Sequence, residues 1–443
     1  MGWRSGWLID SGGIINKCYC TGFVRANYMV SGGLAGQNKG TISNSYSSDT
    51  IYGNNTFVGG LVGRNGDSKS VAVIKNCYST GKVNGYSSVG GLIGANSERS
   101  VVTNCHSTGY VNGRSTYAGG LAGLNEGDID SCYSSGTITD SSQNTGGLVG
   151  FNYEGDISNS YSIRTVRGLI CVGGVTGSNI RGSIRNWYST GSVYGDSCIG
   201  GLSGYIESGT VSKCYSDCNV YGKIAYIGGI AGYNSSGRIQ NCYSWSNLCY
   251  SGSGGDYFGG IAGSNYLGTI STSYSIGCVP STQNSGGLVG SNNGAIDSSF
   301  WDKVSSKRNF SPGGTGLATA EMKTAATFIG AGWDFMDETA NGTSDIWGIN
   351  KVDNSGYPFL KWQGYLQDAT VAYVKKDRAH NLRMERIGQI VISRAGIIQL
   401  VNLQGKVLRK SSFLSGNNCL ELSGLPRGIF IACSGTERMH IIK

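Results

Sequence analysis

The stretch from Val89 to Gly113 reads VGGLIGANSERSVVTNCHSTGYVNG. It returns as AGGLAGLNEGDIDSCYSSG from Ala118 and as VGGVTGSNIRGSIRNWYSTG from Val172. The pattern G-G-[LIV]-x-G occurs ten times, starting at Gly32, Gly59, Gly90, Gly119, Gly146, Gly173, Gly200, Gly228, Gly259 and Gly286, at spacings of 27 to 31 residues. A period of this length marks a stacked repeat. Helical repeats need amphipathic runs of about ten residues or more, and glycine every few positions opposes them. Segments such as Asp128-Ile129-Asp130 and Lys82-Val83-Asn84 alternate with period two, which reads as strand. The expected fold is all-β: a parallel β-solenoid of about ten coils, each one period and about three short strands long. At ~4.8 Å per coil the rod is roughly 50 Å long.

Composition narrows the class. Glycine accounts for 74 of 443 residues and proline for only 4, while charged residues make up 14%. With 26 tyrosines, this is neither a disordered linker nor a collagen, and it suits short strands joined by tight turns. The net charge of +8 is concentrated from Gln363 onward, where 12 Lys/Arg face 5 Asp/Glu. A charged small β domain accounts for that excess, and nucleic acid is not expected as a partner. No run of 18 apolar residues predicts a membrane span. The N-terminal residues lack an apolar signal core, and the first repeat is incomplete, so the chain reads as a fragment of a longer product.

The residues fall into columns. Two places after each G-G-x-x-G stands Asn38, Asn65, Asn96, Asn125, Asn152, Asn179, Asn234, Asn265 or Asn292, with Ile206 as the one break. Stacked amides form a ladder along the axis, and asparagine also tolerates the left-handed backbone of turns. On this reading the glycines make the corners. Leu92 and Val102 stand for two apolar columns, and Val83 and Val111 for a third, giving three walls around a narrow core. An aromatic column runs from Tyr19 through Tyr133 to Phe300, one place after a column holding Cys18, Cys77, Cys105, Cys132, Cys214 and Cys242. Alternation from Ile129 turns Tyr133 inward, whereas a turn at residue 131 would turn Cys132 inward. Both readings stand on sequence alone.

The motif GGLVG-x-N-x-G-x-I-x-NCYS-x-G resembles the GLUG repeat of bacterial secreted and surface proteins, from Ile14 to about Trp301. The resemblance implies an extracellular or outer-surface β-solenoid and no particular activity. The segment after Phe300, with Trp333, Trp347 and Phe359, resembles the closing module that follows such arrays. Ala318 to Phe328 reads as one short helix with Thr319 as its N-cap. The end, with LQGKVL, SGLPRGIF and MHIIK, resembles the sorting tails of type IX secretion cargo, although the usual YPNP-like opening is absent. By pattern this tail is a small β-sandwich, and secretion or sorting machinery is its expected partner. The expected domains are the solenoid over 1–303, a capping region over 304–366 and the tail over 367–443.

Chemistry-bearing residues are few. Asp128, Asp130 and Asp156 form the best carboxylate cluster, with Asp128 and Asp156 equivalent on consecutive coils. Such a pair would suit a carbohydrate-active β-helix enzyme, a lyase or hydrolase. The same column holds Thr41, Ser183, Thr210 and Arg238, as a solvated surface does. Only 3 histidines occur, and no HExxH, GxSxG or phosphate loop is present. The expected catalytic, metal and cofactor residues are therefore none. The cysteines read as mostly buried thiols, with Cys419 and Cys433 the more plausible disulfide. Tyr153, Tyr205 and Tyr233 are candidate glycan contacts. The expected role is a non-enzymatic adhesion or structural rod, with polysaccharide or extracellular matrix as partner.

Overall fold

The computed structural model describes residues 7–363, apart from 28, 141–142, 253–255, 337 and 352, and beyond them the strand backbones between Leu382 and Ile442. The chain separates into two compact units, Met1–Gln367 and Asp368–Lys443. The first is a parallel β-solenoid of about 11 turns. Each turn carries up to five short strands rather than three. One turn, for example, runs through Thr116–Gly119, Ala122–Asn125, Asp128–Asp130, Tyr133–Ser134 and Ile138–Asp140. They stack into three sheets of 10, 20 and 18 strands, here called the glycine, amide and tyrosine walls. Pairing is parallel and keeps like residues in register: Gly90 on Gly119, Asn96 on Asn125, Val102 on Ile129, His106 on Tyr133.

The paired glycines are required by close approach rather than by backbone freedom. A Cβ on Gly120 would lie 2.1 Å from Ser134 Oγ and 2.2 Å from the Gly147 carbonyl oxygen. The same clash with a serine of the tyrosine wall recurs at Gly91, Gly147, Gly174, Gly201 and Gly229. These glycines do not have positive φ. The serine column thus touches the glycine backbone and pinches the interior into two apolar channels. One holds Leu61, Val62, Ile74 and Cys77 with their counterparts, and the other holds Ile51, Val58, Val83, Val89 and theirs.

The left-handed corners belong to other residues, which corrects the expectation that glycines and the buried asparagines form them. Asn76, Asn104 and Ser131 have φ of 53°, 52° and 54°, and their column precedes the cysteines. A second left-handed column, two residues before each G-G pair, holds Phe57, Ser88, Tyr117, Asn144, Cys171 and Cys198. The turn at Ser131 answers the question left by the sequence. Cys77, Cys105, Cys132, Cys214 and Cys242 face the core and are buried. The aromatic column lies outside. Its rings from Tyr19 to Tyr274, His106 included, stack at centroid separations of 4.6 to 5.3 Å and within 11° of parallel.

The second asparagine column lies on the amide wall, buried from Asn38 to Asn265 and half-buried at Asn292. Each Nδ2 donates to the next Oδ1, from Asn38 to Asn65, Asn96, Asn125, Asn152 and Asn179 in turn, and from Asn234 to Asn265 and Asn292, at 2.7 to 2.9 Å. The same Nδ2 also reaches a carbonyl of its own turn, Gly127 for Asn125 and Gly155 for Asn152. At Ile206 the ladder breaks, and Asn234 Oδ1 is left buried without a partner.

The segment after the last coil both closes the rod and grips its side. Thr315–Leu317 adds a parallel strand to Phe300–Asp302. Residues 318–363 then cover the last aromatic rings of the tyrosine wall. Trp362 stacks on Tyr215 at 5.9 Å and donates to the Lys213 carbonyl, while Trp333 donates to the Ser298 carbonyl. Tyr243 and Tyr274 become fully buried there. The single helix expected over Ala318 to Phe328 is instead two pieces, a 3-10 turn Glu321–Lys323 and a helix Ala325–Ile329. Thr324 between them is extended, and Thr319 caps neither. A further short helix, Lys303–Ser306, is capped by Asp302, whose carboxylate also accepts the Tyr357 hydroxyl at 2.8 Å. The second unit contains two antiparallel sheets, of three and four strands. The side chains of Cys419 and Cys433 lie outside the described residues.

The ladder generates a paired prediction. Asn125→Ala leaves Asn152 Oδ1 without its donor and costs about 1–3 kcal/mol for that oxygen alone. Ile206→Asn supplies Asn234 Oδ1 with a donor and keeps the thermal midpoint at or near that of the parent chain. Ile129→Asn, equally buried but flanked by Val102 and Ile157, lowers it steeply. Thermal unfolding of the three variants checks this.

Candidate functional site

The narrow interior sends large rings outward, and they gather in two places beside the glycine–amide corner. Tyr205, Tyr226, Tyr233, Tyr257 and Tyr266 form a patch over three consecutive coils. Tyr205 and Tyr233 lie 5.8 Å apart, Tyr226 meets Tyr233 edge-on at 5.0 Å, and Tyr226 stacks on Tyr257 at 5.1 Å. Tyr266 lies 6.5 Å beyond Tyr233 and is 44% exposed. Burial raises the phenol pKa of Tyr205, Tyr226 and Tyr233, with neighbouring groups adding to it at Tyr226 and Tyr233 and a hydrogen bond with Ser235 opposing it at Tyr205, so the hydroxyls stay protonated. The patch therefore offers flat apolar faces together with neutral hydrogen-bonding groups.

Tyr153 is not part of it. In register, Tyr153 faces Ile180, and the coil between it and Tyr205 presents Ser178 and Ile180. Tyr153 belongs to a smaller cluster with Phe151 and Tyr117. There Arg181 donates to the Tyr153 hydroxyl at 3.2 Å and to Glu154 at 3.0 Å. The sequence reading brought Tyr205 and Tyr233 together and missed Tyr226, Tyr257 and Tyr266. The signal for the first two is their place two residues before a G-G pair, in the column that also holds Phe57 and Tyr117.

The carboxylates lie on the amide wall, around the buried Ile129. Asp128 is exposed and pairs in register with Asp156. Burial against the sheet raises the Asp128 pKa, and the Asp156 charge raises it further, against an opposing Arg185. For Asp130 burial acts upward, but hydrogen bonds from Ser158 at 2.6 Å, Ser131 at 2.8 Å and Asn159 at 2.7 Å outweigh it and hold the carboxyl low. Asp130 is thus engaged as an acceptor, while Asp128 and Asp156 remain a surface pair. His106 stands in the ring stack between Tyr78 and Tyr133, and burial lowers its pKa. Among the described residues no group of three or more His, Cys, Asp or Glu side chains is placed to hold a metal ion. Six described cysteines are buried, Cys18 is exposed, and Cys20, Cys171, Cys198, Cys249 and Cys278 are intermediate.

Three segments, residues 54–84, 114–139 and 141–167, match the GLUG motif, so the chain carries GLUG repeats. A protein of Evansella cellulosilytica named "Putative Gly-rich membrane protein" is 31% identical over 147 residues. That match covers 32% of this chain, and the chain spans 15% of the relative's length. Among solved structures, a "putative immunoglobulin A1 protease" from Bacteroides ovatus aligns over 79% of this chain and 76% of its own. The identity is 16% and the TM-score 0.28, a likeness too small to carry an argument about function. No helix among the described residues is long and apolar enough to cross a membrane.

The carboxylates can be tested by following side-chain resonances against pH. Asp128 titrates above the ordinary value of about 3.9 and Asp130 below it. Asp156→Asn moves Asp128 down toward that value. The depressed Asp130 contributes stability above the unfolded carboxylate pKa and loses it as pH falls through its own lower value. The raised Asp128 has the opposite sign: its contribution is present below the unfolded value and is lost as pH rises through the folded one.

Proposed function

We propose that this chain is a non-enzymatic rod of the bacterial exterior that holds polysaccharide against the tyrosine patch of Tyr205, Tyr226, Tyr233, Tyr257 and Tyr266. The observation that carries this reading is the patch itself, five uncharged rings mounted on three hydrogen-bonded coils. A sugar ring presents an apolar face and peripheral hydroxyls, which suits stacked phenols. Because the rings stand on strands rather than on long loops, little ordering entropy is lost on binding. The GLUG repeats support an exterior location, as does the relative named as a membrane protein. The tail over 367–443 is then the segment that sorting machinery reads.

Incubating the full chain with a panel of polysaccharides, and measuring both depletion from solution and reducing ends, tests the reading. The expected result is depletion without release of reducing ends. Tyr205→Ala/Tyr233→Ala/Tyr266→Ala weakens binding at least about tenfold, since each lost ring contact is worth ~0.5–1.5 kcal/mol. Tyr153→Ala leaves binding unchanged. Release of reducing ends that disappears in Asp128→Asn/Asp156→Asn would replace this reading with that of a carbohydrate-active enzyme.

A further inference from the structure

One pair of neighbouring coils combines two irregularities. The amide ladder fails between them, because Asn179 faces Ile206. The same two coils carry Cys171 and Cys198 in the left-handed outer column, with φ of 53° and 55°. The flanking pairs Ile170 on Ser197 and Val172 on Ile199 make these cysteines direct neighbours. Adjacent strands run ~4.7–4.9 Å apart, inside the Cα separation of about 4.4–6.8 Å that a disulfide accepts. The two thiols lie close enough for each to shift the other's pKa, and both are only partly buried.

We infer that Cys171 and Cys198 are a redox clasp, which a small-molecule disulfide oxidises to a covalent link between the two coils that the amide ladder fails to join. The other neighbouring thiols lack this combination. Cys77, Cys105 and Cys132 are sealed in the core, where each Sγ donates to a carbonyl two residues back, at 3.2, 3.1 and 3.1 Å. Drawing their Cβ atoms together would strain close-packed neighbours. Cys278 bonds through its N–H to the Asn247 side chain and stands out of step with Cys249. At the outer corner of Cys171 and Cys198, the Cβ atoms must approach by about 1 Å from the strand spacing, and the partly exposed site leaves room for that movement.

The chemistry closes without a further reactant. The neighbouring Cys171 lowers the Cys198 thiol pKa, and Cys198 raises that of Cys171. The Cys198 thiolate attacks one sulfur of the small disulfide and expels the first thiolate, which takes the Cys171 proton. The Cys171 sulfur then attacks the Cys198 sulfur and expels the second thiolate, which is protonated by solvent. Two protein thiols are oxidised and one small disulfide is reduced to two thiols. The link lies beside Tyr226 and Tyr233, both of which sense the Cys198 charge. It therefore fixes the coil that presents Tyr205, whatever the patch binds.

The full chain, reduced and freed of reductant, is incubated with oxidised glutathione, alkylated, digested and mapped by mass spectrometry. The expected product joins the Cys171 and Cys198 peptides and leaves Cys77, Cys105 and Cys132 alkylated only after unfolding. Its thermal midpoint lies a few degrees above that of the reduced chain. In Cys171→Ser the glutathione adduct on Cys198 persists and the thermal gain is absent. Alkylation of both Cys171 and Cys198 after oxidation overturns the inference, and so does a stable glutathione adduct on both or a disulfide joining either to another cysteine. The map of the unaltered chain decides the matter even if the variant fails to fold.

Discussion

The contact on which this structure depends is the one between the second glycine of each G-G pair and the residue opposite it, a serine on every coil but the last, where Trp301 meets Gly287. At Gly120 there is no room for a methyl group before Ser134 Oγ. Because the two walls touch there, the interior has no wide centre and consists of two narrow channels. Leucine, isoleucine, valine and cysteine fill them. Most rings of tyrosine size are placed on the outside of so narrow an interior. The ring stack, the tyrosine patch and the grip of residues 318–363 on the wall are thus consequences of a thin core. The exceptions are Phe258, buried in the second channel, and Trp187, buried in the coil whose motif is GGVTG, where Val175 stands in a column that otherwise holds leucine or isoleucine.

Much of this was legible because stacking turns spacing into register. A period of 27 to 31 residues with like residues at like positions leaves one parallel alignment, and Asn96 over Asn125 or Val102 over Ile129 follows from counting. What counting does not give is the direction of a side chain after a left-handed residue. Alternation holds only along an extended strand. Ser131 interrupts it, so Tyr133 points out and Cys132 in. The same effect hid Tyr226 and Tyr257, which are themselves left-handed. For the closing segment the sequence shows aromatic residues but not where they dock. That is set by indole N–H groups reaching carbonyls of coils that are distant in sequence, Lys213 for Trp362 and Ser298 for Trp333.

The amide ladder works differently from the apolar columns. A buried leucine contributes whatever its neighbour on the next coil is, within limits of volume. A buried amide must find both a donor and an acceptor, so each rung depends on the rungs beside it. This dependence explains why one apolar residue, Ile206, has an effect two coils wide: the Asn179 amide keeps the Gly182 carbonyl but loses its acceptor on the next coil, and Asn234 Oδ1 stands unpaired on the other side. A repeat array spreads its stability over the contacts between neighbouring units. The joint around Ile206 is therefore where a link of another kind between coils has the most effect, and the Cys171–Cys198 pair stands at that joint.

Stacking also limits what the surface can do. Any chemistry on the outer faces is presented at the spacing of the coils, one position per ~4.8 Å. Like charges set at that spacing repel, as the raised Asp128 beside Asp156 shows, whereas Asp130, stacked between Thr103 and Ser158, is held low by three hydrogen bonds. Uncharged rings at the same spacing attract one another instead and gain from stacking. A solenoid of this kind accumulates aromatic stripes on its surface more readily than clustered carboxylates. Its outer faces are therefore better suited to holding an extended ligand along the axis than to polarising a single bond.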